Sequence, residues 1–384
     1  MATLIQNMHF DDRTDLLSEL PSEVVKKLVY FLSQEDRADT LALLGYPEDS
    51  VGRLMNPDYI EVKDHFSVQE ALNRIREQGR TIENINFIYI VDDHEKLIDD
   101  INLKELLIVS PETKLSMLMD KKYIALNVTD NQEYASSVFR KNNRAVLPVV
   151  DHENILLGIV TIDDILRIQS EEDTEDIQKI GGTEALDEPY MDTAFFELIK
   201  KRAGWLVILF LGEMLTATAM GFFQDEISRV VVLALFIPLI ISSGGNSGSQ
   251  ASTLIIRAMA LGEISFKDWW RVMRRELFSG LALGGILGFI GFFRICIWHA
   301  LMVHGVIKDL YGTHWLLIAF TVSFSLVGVV LWGTLAGSML PIFLKRMKFD
   351  PATSSAPFVA TLVDVTGIVI YFSVAYLFLS GVLL

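Results

Sequence analysis

The chain has 384 residues, 51% of them hydrophobic, with 33 Lys+Arg against 49 Asp+Glu and a formal net charge of −16. So apolar a composition excludes an ordinary soluble protein, and the acidic balance excludes a nucleic-acid partner, which needs a basic face for phosphate. The single cysteine, Cys296, excludes a disulfide framework and a cysteine zinc site.

The charge is unevenly spread. Residues 1–202 hold 40 Asp+Glu and 22 Lys+Arg, a net of −18; residues 203–384 hold 9 and 11, a net of +2. A compact domain with so large a carboxylate excess repels itself unless cations screen or bind it. Residues 1–10 lack a basic segment and a continuous apolar core, so no signal peptide is expected and the acidic half belongs in the cytosol.

Residues 1–50 predict short amphipathic helices over 11–20, 23–32 and 35–44, with Pro21 and Ser33 at plausible starts. A repeat follows. Met55-Asn-Pro-Asp-Tyr-Ile60 recurs as Met119-Asp-Lys-Lys-Tyr-Ile124, and each copy leads into a helical stretch (68–77; 132–141). Each then reaches a strand ending in Val-Asp, Phe87–Asp92 and Val146–Asp151, followed by a turn, a second strand and a short helix. The order β-α-β-β-α, twice, resembles a tandem CBS pair, a regulatory module that often binds adenine nucleotides. The second copy carries Gly158-Ile-Val-Thr-Ile-Asp-Asp164, where Thr161 and Asp164 are candidates to hold a ribose. The first copy has Asp99, Asn102 and Glu105 at those places, so the pair either binds ATP or is purely structural, dimerising and transmitting motion.

After the repeat, Asp163, Asp164, Glu171, Glu172, Asp173, Glu175 and Asp176 crowd within 14 residues. By itself such a run is a solvated helix face. Five apolar stretches then reach the roughly 20 residues that a bilayer crossing needs, near 203–223, 229–260, 277–304, 315–344 and 355–383. Basic residues precede the first (Lys200, Lys201, Arg202) and lie between the second and third (Lys267, Arg271, Arg274, Arg275) and the fourth and fifth (Lys345, Arg346, Lys348). That alternation predicts the N-terminus inside and the C-terminus outside. Five helices make a thin wall for a pore, so a homodimer is expected.

The second stretch contains Ser242-Ser-Gly-Gly-Asn-Ser-Gly-Ser-Gln250, which a lipid-facing helix has no use for. The run reads as pore lining, or as a small-residue packing face with incidental polarity. In the last stretch, Pro357-Phe-Val-Ala-Thr-Leu-Val-Asp-Val-Thr-Gly367, Asp364 is a lone charge. A carboxylate at mid-bilayer costs about 2.5–3.5 kcal/mol on insertion scales and usually marks an ion path; the alternative is a protonated carboxyl bonded to a neighbouring helix. Mg²⁺ binds through one or two carboxylates with its waters kept, and Ala360 and Gly367 leave room for that shell. Glu213 and Arg294 are further membrane charges, expected either to pair or, for Glu213, to add an ion site.

With the repeat, the Gly-Gly-Asn-Ser-Gly-Ser-Gln run and the last stretch taken together, the chain resembles the MgtE family of magnesium channels over nearly its whole length. The likeness is strongest over 51–70, 145–182, 235–260 and 336–376. The resemblance implies a multidomain membrane protein. Its parts are a short all-α N-terminal segment (1–50), an α/β tandem CBS pair (51–116 and 117–170), an acidic connecting or plug helix (171–200) and an all-α five-helix transmembrane domain (201–384). The family's N-terminal domain is usually much longer than the one here.

By the same resemblance Asp364 is the central pore ligand, with Asn246 on the pore wall and Ala360 beside the path. Glu133, Asp164, Glu172, Glu175 and Asp176 are the candidate sensors of cytosolic Mg²⁺. Bridging of the acidic surfaces by the ion would dock the plug and close the pore. At Asn131, Asn143 and Arg167 relatives can carry an aspartate, which implies weaker gating here. The implied activity is Mg²⁺ import across the inner or plasma membrane. The alternatives are a channel for Co²⁺, Ni²⁺ or Mn²⁺, and a membrane-anchored nucleotide or metal sensor that conducts nothing. The seven histidines are scattered and no nucleophile–base set appears, so an enzyme is not expected.

Overall fold

The computed structural model describes residues 2–6, 8–18, 20–80, 82 and 84–383, which fall into two units, 1–172 and 173–384. The first unit opens with helices α1 (Ala2–Gln6), α2 (Phe10–Ser18), α3 (Ser22–Val29), α4 (Gln34–Leu44) and α5 (Val51–Leu54). The starts at Pro21 and Ser33 are as expected, and the Ser33 hydroxyl accepts from the Asp36 backbone N–H. The helix expected over 11–20 ends at Ser18; Glu19 lies outside the described residues.

Two β-α-β-β-α repeats follow. The first is β1 (Glu61–Lys63), α6 (Val68–Gln78), β2 (Phe87–Val91), β3 (Leu97–Asn102) and α7 (Leu103–Ile108). The second is β4 (Leu126–Asn127), α8 (Gln132–Asn142), β5 (Val146–Val150), β6 (Leu156–Thr161) and α9 (Ile162–Ile180). Each sheet has one parallel and one antiparallel pair, and each slips register at the same place, Ile90/Val91 and Val149/Val150. Tyr89, Val91, Leu97, Val146, Val150, Leu156 and Ile159 form a core shared by the two copies. Asn154 Nδ2 donates to the Leu97 carbonyl (2.8 Å) and Tyr59 Oη to that of Leu156 (3.0 Å), stitching one copy to the other.

The acidic connecting helix differs from its expected bounds. α9 begins inside the second repeat and stops at Ile180, where Gly181 and Gly182 (φ +76°) end it with the left-handed residue that closes many helices. Residues 183–194 are irregular, and 195–200 already belong to the next helix.

The second unit holds α10 (Phe195–Phe222), α11 (Gln224–Arg229), α12 (Ile237–Ala260), α13 (Trp269–Val303), α14 (Trp315–Arg346) and α15 (Ala356–Leu379). Among the described residues, five helices are long and apolar enough to cross a bilayer. α10 and α13 begin earlier than their apolar stretches because helical hydrogen bonding continues through Lys200–Arg202 and through Arg271–Arg275. The core is built by α12, α14 and α15 around Ile240, Val329, Val359, Val363, Ile368 and Tyr371. None of the apolar window of α10 is buried within one chain.

Candidate functional site

The glycine-rich run stays helical, and its two faces do different things. One face packs. A methyl on Gly337 of α14 would sit 2.1 Å from the Gly248 carbonyl oxygen, and one on Gly333 would sit 2.3 Å from that of Gly244. The helices therefore meet backbone to backbone, as small residues allow in membranes. A hydroxyl reinforces the seam, Ser247 bonding Thr334 (2.7 Å). Two more tie α12 to the segment that starts α15: Ser252 donates to the Ser354 carbonyl (2.9 Å) and Ser249 to that of Ala356 (2.9 Å). The other face carries exposed Ser242, Asn246 and Gln250. Packing thus occupies one side of the helix and polar, exposed side chains the other.

Asp364 lies in the third turn of α15, partly buried. Ala360 is one turn earlier, and its methyl faces Gly245: a Cβ there would be 3.4 Å from Ala360 Cβ and 3.8 Å from Asp364 Oδ1. The carboxylate thus stands beside a glycine and an alanine, with Asn246 on the next residue of α12. Asn246 Nδ2 reaches Ser242 Oγ at 3.5 Å, a long contact that leaves the amide available. Among the described residues no His or Cys joins a metal-holding set with these groups.

The expected Glu213–Arg294 pair is not formed. Arg294 reaches Tyr311 Oη (3.4 Å) and lies over the rings of Trp298 and Phe236. Stacking on aromatic faces meets the needs of a guanidinium without a carboxylate. Glu213 instead reaches Asp364, the two carboxyl groups being within hydrogen-bonding range. Sequence reasoning missed this contact because nothing local marks it.

In the first unit the sensor candidates are dispersed. Exposed Glu133 opens α8 behind its cap, Asn131, whose side chain accepts from the Glu133 N–H (2.8 Å). Asn143 closes the same helix in the left-handed conformation (φ 51°). Glu172 accepts from Gln132 Nε2 (3.0 Å). Asp164 is 7% exposed; Thr161 Oγ1 donates to it (2.7 Å) and so does Arg167 Nη2 (3.3 Å). Burial pushes its carboxyl up to about 6, with Thr161 and Arg167 working the other way. Thr161 and Asp164 are therefore already bonded to each other. Arg167 also pairs with Asp15 of α2, so one guanidinium bridges two carboxylates from distant segments. It lines a cavity of about 260 Å³ shared with Asp11, Arg53, Gln132 and Glu171, too acidic a lining for a phosphate.

In the second unit, Lys179 pairs with Glu175 and with Asp350 (2.7 Å). Burial works against the Lys179 charge, yet its bonds to Asp350 and Glu175 outweigh that and raise its pKa. Asp173 pairs with Arg257 at the end of α12 (3.3 Å). Asp176 lies on the same stretch, partly buried. Among the described residues, no three His, Cys, Asp or Glu side chains gather as a metal-holding set, so the structure does not bring the sensor candidates together.

Several known proteins are similar. The MgtE family model, a divalent cation transporter, matches residues 237–374; the MgtE intracellular N domain matches 1–49, and CBS domains match 51–112 and 114–171. The magnesium transporter MgtE of Thermus thermophilus is 36% identical over 375 residues, 97% of this chain and 80% of that protein. The magnesium transporter MgtE of Bacillus subtilis is 28% identical over 99% of this chain and 81% of its own length. A crystal structure of the cytosolic domain of the Mg²⁺ channel MgtE in complex with ATP is 31% identical, with a TM-score of 0.43 over 44% of this chain and 68% of that one.

Proposed function

The chain belongs to the MgtE family of divalent cation transporters, and on that premise we propose that it imports Mg²⁺ across a cell membrane along a path whose central ligand is Asp364. Its family is one of transporters, not enzymes. The observation that carries the reading is a mid-span carboxylate flanked by Gly245 and Ala360, which offer it almost no bulk. Mg²⁺ gives up water reluctantly and binds through few carboxylates, so a carboxylate with space beside it suits a hydrated ion. Asn246 and the Ala360 backbone supply further oxygen donors on the wall. Oxygen ligands favour Mg²⁺ over Co²⁺ or Ni²⁺, which prefer imidazole or thiolate.

Two copies are the working form, with two Asp364 side chains facing one axis; the unburied α10 supports a further partner for this unit. The basic loops support a cytosolic N-terminus. Cytosolic Mg²⁺ closes the path by screening the acidic residues Glu133, Asp164, Glu172, Glu175 and Asp176. The closed state is favoured because it binds the ion more tightly. The anchors of α9 support this coupling. Asp173 holds Arg257 on the helix that carries Asn246, and Lys179 holds Asp350 just ahead of the helix that carries Asp364.

The test is Mg²⁺ influx into proteoliposomes with an entrapped Mg²⁺-sensitive dye. Wild type should conduct and Asp364→Asn, matched for insertion, should not. Equal flux through both would end the assignment.

A further inference from the structure

We propose that Glu213 is a second carboxylate of the ion path, placed beside Asp364 to select a hydrated divalent cation. The proposal rests on the reading of Asp364 as the pore ligand and adds a residue from another helix to the same site. Glu213 lies in the middle of α10, where a charge has no business facing lipid. Its carboxyl lies within hydrogen-bonding range of Asp364. The depth is set by packing: a methyl on the preceding Gly212 would be 2.6 Å from Thr361 Cγ2, so α10 rests directly on α15 one turn before Asp364.

A separate observation points to a ligand in this seam. Threonines in membrane helices usually donate back to the carbonyl four residues earlier, as Thr218 does to Met214 (3.0 Å) in the same helix. Thr216 does not: its hydroxyl is buried and without a partner. It sits three residues from Glu213 and four from Gly212, on the stripe that meets α15. A buried hydroxyl left open is costly, and the water shell of a cation held by the two carboxylates would satisfy it.

Charge arithmetic favours a divalent guest. Among the described residues no cation pairs with either carboxylate, and Arg294 is engaged with Tyr311. Two carboxylates at one depth double the attraction for each charge on a passing ion, and a 2+ ion gains twice what a 1+ ion gains.

The experiment compares wild type, Glu213→Gln, Glu213→Asp and Asp364→Asn in proteoliposomes. Mg²⁺ influx is read by entrapped dye, with Na⁺ as competitor, and assembly is checked by size-exclusion profile. Glu213→Gln should raise half-saturating Mg²⁺ about 10- to 100-fold and make influx sensitive to Na⁺. Glu213→Asp, a carboxylate withdrawn by one methylene, should lie between. If Asp364→Asn abolishes influx while Glu213→Gln matches wild type in both readings, Glu213 is only a hydrogen-bonded neighbour and the proposal falls. If Asp364→Asn itself conducts normally, the underlying pore reading falls instead. Should Glu213→Gln fail to assemble, wild-type half-saturation and Na⁺ sensitivity in Glu213→Asp would overturn the proposal equally.

Discussion

Gly337→Ala should destabilise the membrane unit, whereas Gly285→Ala should not. Both residues lie within long apolar helices, and in an exposed helix interior alanine is favoured over glycine by about 1 kcal/mol. Gly285 of α13 has nothing within 4 Å of where its Cβ would be, so that gain is realised. At Gly337 the new carbon would stand 2.1 Å from the Gly248 carbonyl oxygen and 2.8 Å from its carbonyl carbon. Both are backbone atoms, which no rotamer change can move aside. Ordinary contact then requires α12 and α14 to part by about 1 Å, and overpacking of this kind costs about 1–3 kcal/mol. The propensity gain is common to both helices, so Gly337→Ala should lie roughly 1–3 kcal/mol below Gly285→Ala. Thermal unfolding of the purified protein in one detergent, followed by fluorescence and size exclusion, reads the difference as a clear gap in midpoint. Matching midpoints, or a more stable Gly337→Ala, would refute the close approach of the two helices.

Three further outcomes are expected. The Asp164 carboxyl is held at about 6 against 3.8 when unfolded, so the folded state binds more protons between those values. Its contribution to stability accordingly falls as pH rises from about 4 to about 6, by about 3 kcal/mol; Asp164→Asn should flatten this part of the stability–pH curve, and an unchanged curve would count against it. Arg167→Ala removes the bridge between Asp15 and Asp164, and proteolysis should then cut near α2 several-fold faster; an unaltered cleavage rate would show the bridge to be idle. Lys179→Ala frees Asp350 and Glu175 together, and should shift the Mg²⁺ concentration that halves influx in proteoliposomes, whereas the surface change Lys141→Ala should leave it alone.

Much of the architecture was legible because it repeats or is periodic. The doubled Met-x-x-x-Tyr-Ile start and the Val-Asp strand ends located both β-α-β-β-α units, and apolar length located five spans. Helix ends were less legible. Hydropathy falls at Lys200–Arg202 and Arg271–Arg275, but a helix needs only its backbone bonds to continue, so α10 and α13 run through those charges. Composition also cannot say which way a residue points. The run Gly244–Gln250 contained both packing and polar faces, and only the 3.6-residue turn separates them. Glu213 and Asp364 are more than 150 positions apart, and cost alone favoured opposite charges as partners. In the structure Arg294 is met by aromatic rings and a tyrosine, leaving Glu213 to its fellow acid.

The helices of the second unit are not equally free. α12 and α14 are clasped by carbonyl-to-glycine contacts, and α12 is stitched by hydroxyls to Ser354 and Ala356 at the start of α15. α10 leans on α15 along one stripe and has no buried window of its own. A small pivot of α10 therefore disturbs few contacts, whereas the same movement of α14 would collide with backbone. The packing of α10 on α15 is therefore the adjustable dimension of the unit, and the clasped pair α12–α14 is its fixed frame.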